Sequence, residues 1–468
     1  MIFHPQNSKT AEGRFTFRGN IKAIAHPCLS KDIIKEFWSN FTYQSSTLSI
    51  SECDDFVFMI GNAEKKAPHK CAYSINIEPS GLCVCAGNEK DLISGYMTLL
   101  DRFKATDIAE GVAIELDCGQ LSEQPLIQNR MVHFCIFPET ELWELQRFVR
   151  FCGALKYTHI ILEFWGMLKY DCMQELSWSF GFTKEQIRPI IREAKDLGLE
   201  IVPMFNHWGH ASGSRVIHGK HVVLDQNPAL QTYFSEDGWC WDIRKPKVRK
   251  LLREIRDELC LICGEGKYFH IGCDEPYHFD PTEEILSCIC SFINETSDEM
   301  NEKGRRIIAW GDMLLYRLEH YSKENRYYCL APTPDSARYM MEHIDRSVII
   351  ADWQYECPRF PVETAITFKE AGFDCLLCPW DRGSEQTRAA LATVKEYDLC
   401  GFIHTTWNTL SHGMPFITLC ALGGFESTEG RSASDVGTCS AALLRKVMPT
   451  RGDYRRAGWS KVQIMDRC

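Results

Sequence analysis

From about residue 130 onward, short apolar runs alternate with longer segments whose apolar residues recur at helical spacing. The apolar runs predict β-strands at residues 131–136, 159–164, 200–205, 268–273, 306–310, 348–353, 374–378 and 401–407. The intervening segments predict helices, among them residues 140–155, 183–197, 246–263, 283–303 and 385–397. Eight strands with helical crossovers over about 300 residues indicate an α/β fold, a (β/α)8 TIM barrel. An open doubly wound sheet is the alternative, but no Gly-x-Gly-x-x-Gly motif follows the first strand.

The N-terminal part of the chain lacks this regular alternation. Residues 72–77 alternate with a period of two, a Pro-Ser-Gly turn follows, and residues 82–86 return, which predicts a β-hairpin. A helical stripe over residues 88–103 and short strands at 55–61 and 112–116 indicate a small α+β domain. We therefore divide the chain into an N-terminal α+β domain (1–121), a (β/α)8 barrel (122–430) and a C-terminal closing segment or tail (431–468).

Composition and charge narrow the possible classes of function. The chain of 468 residues has a net charge of −11, so the basic face that nucleic-acid binding requires is not expected. No polybasic run, long apolar segment or signal-peptide pattern indicates a membrane or secretion. The odd count of 23 cysteines does not resemble a disulfide framework, so we expect a reducing, cytoplasmic environment. Cys260 and Cys263 lack the second pair that a zinc ribbon needs, and no metal is expected.

Polar and aromatic residues are concentrated where the predicted strands end. The C-terminal ends of the strands carry the chemistry in TIM barrels. A purely structural barrel has no need of such polarity, and the strand starts carry little of it. We therefore predict a functional site from the residues at these ends: Glu163, Asn206, His210, Asp274, Glu275, Trp310, Trp353, Asp381 and Trp407.

The sharpest signal is the pair of adjacent acids, Asp274 and Glu275. Alternation along the strand puts Gly272 and Asp274 on the face toward the barrel mouth. Pro276 cannot donate a ladder hydrogen bond, so we expect it to end the strand and to let Glu275 reach the same cavity. One charge disfavours the other, which separates an ionised carboxylate from a protonated acid, as glycoside cleavage requires. The alternative is a helix N-terminus at which both acids only cap the helix that follows.

The segment His270-Ile271-Gly272-Cys273-Asp274-Glu275 resembles the His-x-Gly-Gly-Asp-Glu signature of glycoside hydrolase family 20, the β-N-acetylhexosaminidases. The similarity extends along most of the chain. Residues 73–103 resemble the small domain that precedes the barrel in that family, and residues 128–130 its first barrel strand. Residues 201–210 are similar to the family's Pro-x-x-Asp-x-Pro-Gly-His loop, with His210 matched, and residues 308–312 to a strand with a pocket tryptophan. Trp353 and Trp407 fall where further pocket tryptophans are expected.

The resemblance implies a retaining exo-hydrolase that releases terminal β-linked GlcNAc or GalNAc. Its nucleophile would be the substrate's own 2-acetamido oxygen, which closes onto C1 to give an oxazolinium intermediate. Asp274 would orient the acetamido N–H, and Glu275 would act as acid and then as base. Arg130 would bind vicinal hydroxyls, and Asp381 would accept from hydroxyls at the non-reducing end. The implied partner is an amino-sugar-containing glycan or glycoside, without a cofactor, nucleic acid or membrane, and the protein would be a monomer or homodimer.

Three positions depart from the family pattern. Asn206 stands where the family usually has an aspartate behind the catalytic pair. Pro379 stands where the family has the tyrosine that bonds the acetamido oxygen, and Tyr355 or Tyr277 are its candidate replacements. The usual glutamate two positions after Trp407 is missing.

These departures keep two alternatives open, namely a catalytically impaired carbohydrate-binding barrel and a metal-dependent barrel hydrolase using His270, His210 and Asp274. For Glu163, a paired structural carboxylate is the alternative to a role in sugar binding or in supporting the site. His270 is equally consistent with a core histidine and with a direct role.

Overall fold

The computed structural model describes residues 2–42, 46–106, 113–212, 223–277, 279–317 and 326–449. The N-terminal part forms a mixed sheet in the order β1-β8-β5-β6-β4-β2-β3, with β7 paired to β8. Only β2 and β3 run parallel within this sheet, and the predicted hairpin is its β5–β6 pair. The strands are β1 (Asn7–Phe17), β2 (Ile21–Ala25), β3 (Leu48–Glu52), β4 (Val57–Gly61), β5 (Tyr73–Glu78), β6 (Gly81–Ala86), β7 (Lys104–Thr106) and β8 (Ala113–Glu123).

Eight parallel strands close into a barrel in the order β9 to β16, which confirms the predicted (β/α)8 fold. Each strand lies within two or three residues of its predicted position. The barrel strands are β9 (Asn129–Cys135), β10 (His159–Glu163), β11 (Glu200–Met204), β12 (Tyr268–Gly272), β13 (Arg306–Trp310), β14 (Ile349–Asp352), β15 (Cys375–Leu377) and β16 (Gly401–His404).

Helices cover the N-terminal sheet and surround the barrel. The described helices are α1 (Lys31–Phe41), α2 (Glu89–Arg102), α3 (Leu142–Ala154), α4 (Lys184–Asp196), α5 (Val223–Gln226), α6 (Pro246–Cys263), α7 (Glu283–Glu302), α8 (Pro334–His343), α9 (Glu363–Glu370), α10 (Ser384–Glu396), α11 (Leu410–Gly423) and α12 (Ala433–Val447). None of these described helices is long and apolar enough to cross a membrane. Residues 450–468 of the predicted closing segment lie outside the described residues.

Local sequence explains how the barrel helices begin. Thr183 starts α4 with a capping box, in which its side chain and that of Gln186 satisfy each other's backbone N–H groups. Thr282 accepts from the backbone N–H of Ile285 and starts α7 in a similar way. The helix thus begins eight residues after Glu275, so the acid pair lies in the connecting loop and does not cap α7.

The interior of the barrel is apolar in its lower layers and becomes polar and aromatic toward the C-terminal ends of the strands. Met131, Ile161, Val202, Ile308 and Ile349 pack together inside the barrel as one buried cluster. Their strand neighbours point outward and join the larger core under the helices. Because the lower layers are filled with side chains, the strand ends are left to form a cavity only at the top.

Candidate active site

The acid pair emerges from a run of left-handed backbone at the end of β12. Gly272, Cys273 and Glu275 have φ values of +65°, +71° and +49°. The strand ladder therefore ends at Gly272, one residue before the end of the predicted strand 268–273, and the left-handed turn rather than Pro276 ends it. An unbroken ladder would direct neighbouring side chains to opposite faces, whereas the left-handed turn lets Asp274 and Glu275 face one cavity.

His210 bridges the two acids. Its Nε2 lies 3.2 Å from an oxygen of Asp274 and 3.2 Å from an oxygen of Glu275. Asn206 donates from Nδ2 to Asp274 at 3.2 Å. The loop that carries His210 approaches the acid loop so closely that a Cβ on Gly209 would lie 2.0 Å from the backbone oxygen of Asp274. His210, which the sequence analysis assigned to the site, therefore lies beside both carboxylates.

A third carboxylate, Asp312, lies beneath the pair and was not predicted. It follows β13 and is buried, and its Oδ2 accepts the backbone N–H of Glu275 at 3.0 Å. Its Oδ1 accepts the indole N–H of Trp353 at 3.1 Å. Burial, and then the charge of Asp274, raise the pKa of Asp312 to about 8. Asp312 thus connects the backbone of the acid loop to one wall of the pocket.

Two aromatic side chains flank Glu275 from outside the pocket. The indole N–H of Trp239 donates to the backbone oxygen of Glu275 at 2.6 Å. Burial, followed by a hydrogen bond between its hydroxyl and the Glu275 carboxylate, raises the pKa of Tyr277 above its ordinary range. The ring of Trp239 also packs against His210, with ring centroids 4.5 Å apart.

The acids open into an aromatic cavity of about 260 Å³. Trp310, Trp353 and Trp407, all predicted from the strand ends, lie in its wall. Tyr355 lies there as well, and its hydroxyl accepts the indole N–H of Trp407 at 2.7 Å. Of the two candidate replacements for the family tyrosine, Tyr355 is thus the one in the wall. The cavity is lined by Trp165, His210, Asp274, Glu275, Trp310, Tyr328, Trp353, Tyr355, Trp380, Arg382 and Trp407.

Arg130 does not reach this cavity, and its predicted role in sugar binding is corrected. It lies at the start of β9, at the opposite end of the barrel, and is buried. Its guanidinium donates to the backbone oxygens of Ile127 (2.7 Å) and Lys156 (3.0 Å) and lies 4.6 Å from the ring centroid of Phe425. Burial lowers its pKa to about 10. Arg130 therefore serves the packing of the barrel bottom.

Asp381 and Glu163 lie close to the site but outside its wall. Asp381 accepts from Nδ2 of Asn408 at 2.6 Å and lies 3.2 Å from Nε2 of His412. Glu163 is buried and pairs with His133 at 2.9 Å, and the ring of His133 packs behind Trp407. The structure therefore favours the paired structural carboxylate for Glu163, and neither acid is among the residues that line the cavity.

Several wall residues were missed because nothing in the sequence pattern marks them. Trp380 and Arg382 flank the predicted Asp381, and the guanidinium of Arg382 stacks 4.2 Å above the ring of Trp380. The turn after β15 directs Asp381 away from the cavity, while its two neighbours enter it. Trp165 is the exception, because it directly follows the predicted strand 159–164, a signal that could have been used.

Comparison with known proteins identifies the barrel. Residues 161–381 match the model of the glycosyl hydrolase family 20 catalytic domain. A curated relative, the β-hexosaminidase of Porphyromonas gingivalis, is 24% identical over 157 residues, which span 29% of this chain and only 19% of the relative.

Solved structures of similar fold cover nearly the whole chain. The exo-β-N-acetylglucosaminidase of Vibrio harveyi, in complex with N-acetylglucosamine, aligns with a TM-score of 0.68 at 16% identity, over 95% of this chain and 76% of the other. The β-N-acetylhexosaminidase of Bacteroides fragilis aligns with a TM-score of 0.65 at 15% identity, over 95% of both chains. The chitobiase of Flavobacterium johnsoniae aligns with a TM-score of 0.66 at 16% identity, over 95% of this chain and 72% of the other.

At 15–16% identity, these solved structures show a similar fold only. The similarity to glycoside hydrolase family 20 rests on the match to the family model. The matched residues include the acid pair, His210, Asp312 and most of the cavity wall. The resemblance noted in the sequence is thereby confirmed. Residues 161–381 of this chain therefore match the catalytic domain of glycoside hydrolase family 20.

Proposed function

We propose that the protein is a retaining exo-β-N-acetylhexosaminidase that releases terminal β-linked GlcNAc or GalNAc. The observation that carries the proposal is the position of Asp274 and Glu275, bridged by His210, at one side of an aromatic cavity. Indole and phenol rings suit the apolar C–H faces of a sugar and the methyl of an acetamido group. A cavity of about 260 Å³ favours a single terminal sugar over a chain that passes through.

Asp274 is placed to hold the acetamido group of the substrate. The N–H donor of Asn206 and the imidazole of His210 both lie on its carboxylate, and both favour its ionised form. An ionised Asp274 accepts the acetamido N–H and stabilises the positive charge that develops as the acetamido oxygen attacks C1. The C1–O bond to the leaving group breaks as this new C–O bond forms.

Glu275 is placed to move the proton. It donates its proton to the departing glycosidic oxygen and then accepts one from the water that opens the oxazolinium intermediate. Both attacks occur at C1 from opposite sides in turn, so the product keeps the β-configuration. Arg382, which the sequence interpretation did not consider, is the guanidinium in the cavity wall and replaces Arg130 as the donor proposed for sugar hydroxyls.

Cytoplasmic location remains part of this proposal. The cysteines in the described part of the chain are free thiols, as a reducing compartment favours.

Hydrolysis of an aryl β-N-acetylglucosaminide by Glu275→Gln and Asp274→Asn tests the proposal. We expect kcat to fall by about 10²- to 10⁴-fold in each variant, because one loses the acid and the other the support of the nucleophile. Asp257→Asn is the matched control, since Asp257 pairs with Lys303 on the outer surface of the barrel. The matching aryl β-glucoside, which lacks the acetamido group, should be nearly inert.

Each outcome has a definite meaning. Comparable hydrolysis of the β-glucoside would contradict substrate assistance and indicate a protein nucleophile. Tight binding of GlcNAc without turnover in the wild-type protein would instead support the carbohydrate-binding alternative, which the departures at Asn206 and Pro379 had kept open.

A further inference from the structure

Two cysteine thiols lie in contact within the N-terminal sheet. Cys83 and Cys85 are two positions apart on β6, so their side chains share one face of the strand. Their sulfur atoms lie 3.4 Å apart. Val84, between them, points the other way, and a Cβ on Gly95 of α2 would lie 2.7 Å from its Cγ1. The thiols therefore face away from α2, the helix that contacts both β6 and the barrel helix α3.

Two further sulfur-bearing side chains pack against this pair. Met59 lies opposite Cys83 in the register of β4 and β6, and Cys53 follows the end of β3. Both contact the buried cluster that contains the two thiols. Cys83 and Cys85 are only 1% and 6% exposed, whereas Met59 and Cys53 are partly exposed. The thiols are thus shielded from bulk water, and a small ion can reach them past the two outer sulfur atoms.

A hydrogen bond and a nearby lysine favour the thiolate form of one cysteine. The bond from Cys83 lowers the pKa of Cys85 to about 7, and the charge of Lys65 acts in the same direction. The ammonium group of Lys65 lies 2.6 Å from the carboxylate of Asp55. Because the thiolate is the form that binds metals, Cys85 is partly prepared for a metal at neutral pH. Two thiolates around a monovalent cation carry a single negative charge, which Lys65 offsets.

The kind of donor atom determines which metal suits this cluster. Thiolate and thioether sulfur are soft ligands and favour Cu(I). Zinc instead takes four ligands from Cys, His, Asp and Glu, and no group of three or more such side chains in the described part of the chain is placed to hold a metal. With metal–sulfur bonds of ~2.3 Å, two ligands of a three-coordinate ion lie ~4 Å apart, so the thiols need to separate by only roughly half an ångström.

We propose that Cys83 and Cys85 bind one Cu(I) ion as thiolates, with the thioether of Met59 as the third sulfur ligand. Each thiol that binds releases its proton to solvent, and the metal keeps its oxidation state. The bound ion connects β4 to β6 on the face of the sheet away from α2. The site is therefore separate from the catalytic cavity and does not depend on the proposed function.

The test measures how much Cu(I) the full-length protein retains against a competing chelator. Reduced protein is mixed with Cu(I) under argon, and bicinchoninate is added to remove copper from isolated thiols. We expect the wild-type protein to retain about one equivalent of Cu(I), because two thiolates chelate the ion together. Copper X-ray absorption should show a first shell of sulfur atoms only, at ~2.3 Å.

Three variants each remove one of the proposed sulfur ligands. Cys83→Ala and Cys85→Ala should each weaken Cu(I) binding by at least about tenfold, because the remaining thiolate no longer chelates. Met59→Leu removes the thioether but conserves the side-chain volume, and it should weaken binding about threefold to tenfold. Cys118→Ala is the matched control, since Cys118 is also a buried cysteine of this sheet, on β8, and its loss should leave the affinity at the wild-type level.

Definite results would overturn the site. They are the absence of retained Cu(I) in the wild-type protein, a nitrogen or oxygen ligand in its absorption spectrum, or an affinity unchanged in both cysteine variants. An equal loss of affinity in Cys118→Ala would show general damage to the sheet and would overturn it as well. Met59→Leu stays decisive if the cysteine variants do not fold, because an unchanged affinity in that variant contradicts the proposed set of ligands.

Discussion

At the scale of single residues, Asp312 controls the position of the acid without lining the cavity. Its two oxygens each accept one N–H, from the backbone of Glu275 and from the indole of Trp353. An amide at this position has one acceptor oxygen, so one of these two donors would face an NH₂ group instead. Loss of either bond moves the acid loop relative to the cavity wall.

We therefore expect Asp312→Asn to impair acid catalysis selectively. The fall in kcat/KM should be at least tenfold larger for methyl β-N-acetylglucosaminide than for the dinitrophenyl glycoside, because a good leaving group departs without a proton. Equal losses on both substrates would show that Asp312 supports the fold and not the position of Glu275. Trp353→Phe removes the indole donor to Asp312 together with part of the aromatic wall.

Asp312 also gives the stability of the protein a pH dependence. Its pKa is raised from 3.8 to about 8 in the folded state, so the folded protein keeps a proton that the unfolded chain releases above about pH 4. The stability contributed by this proton is complete at low pH and is lost as the pH rises toward 8. We expect the difference in free energy of unfolding between wild type and Asp312→Asn to shrink from pH 5 to pH 8, as urea unfolding at several pH values would measure. A constant difference would contradict the raised pKa.

The two arginines considered for sugar binding should respond in opposite ways to substitution. Arg382→Ala should raise KM about tenfold and leave the melting temperature near the wild-type value, because the side chain lies exposed in the cavity wall. Arg130→Met should lower the melting temperature and leave KM unchanged, because it removes donors to Ile127 and Lys156 at the barrel bottom. A raised KM in Arg130→Met would contradict its placement.

At the scale of elements, the end of β12 determines whether both acids reach one cavity. A Cβ on Gly272 would lie 2.3 Å from Oδ1 of Asn206, and the backbone there has a φ of +65°. Gly272→Ala should therefore destabilise the fold by about 1–3 kcal/mol and abolish most activity. Gly304→Ala is the matched control, since its φ is +74° but no atom lies within 4 Å of the added carbon. Equal activity loss in both variants would show that backbone strain, and not the contact with Asn206, is responsible.

The hydrophobic pattern predicted the barrel strands more accurately than the end of β12 or the strands of the N-terminal sheet. The barrel strands were found because each is a short apolar run between amphipathic helices, and Arg306–Trp310 even has the predicted bounds. The predicted strand 268–273 exceeds β12 by one residue, and its end was attributed to Pro276 because periodicity does not reveal that Cys273 and Glu275 adopt left-handed conformations. In the N-terminal sheet, β1 was missed since most of its residues are exposed and polar, so no apolar alternation marks it.

At the scale of the whole molecule, only part of a site that is made from several loops can be predicted from the sequence. Strand ends located His210, Trp310, Trp353 and Trp407 because barrel closure brings those ends together. Sequence alone could not show that the turn after β15 presents Arg382 and not its neighbour Asp381. It also could not show the contact of Asp312 with Glu275, which spans 37 positions and depends on the closed barrel.

The N-terminal sheet and the barrel are joined by a buried ion pair. Lys156, in the loop after α3, lies 2.5 Å from the carboxylate of Glu123 at the end of β8. Its ammonium group lies 3.5 Å from the ring centroid of Phe3 and 3.9 Å from that of Phe425. Burial lowers the pKa of Lys156 to about 8, and the charge of Glu123 opposes this shift.

Removal of one partner should therefore cost far more than removal of both. Glu123→Gln leaves the ammonium of Lys156 buried without its counter-charge, and we expect the free energy of unfolding to fall by about 3–5 kcal/mol. Glu123→Gln combined with Lys156→Met leaves no buried charge and should regain most of that loss, since the methionine can pack between Phe3 and Phe425. Urea unfolding of the two single variants and the double variant measures this coupling. Additive losses would show that the pair contributes nothing to joining the sheet to the barrel.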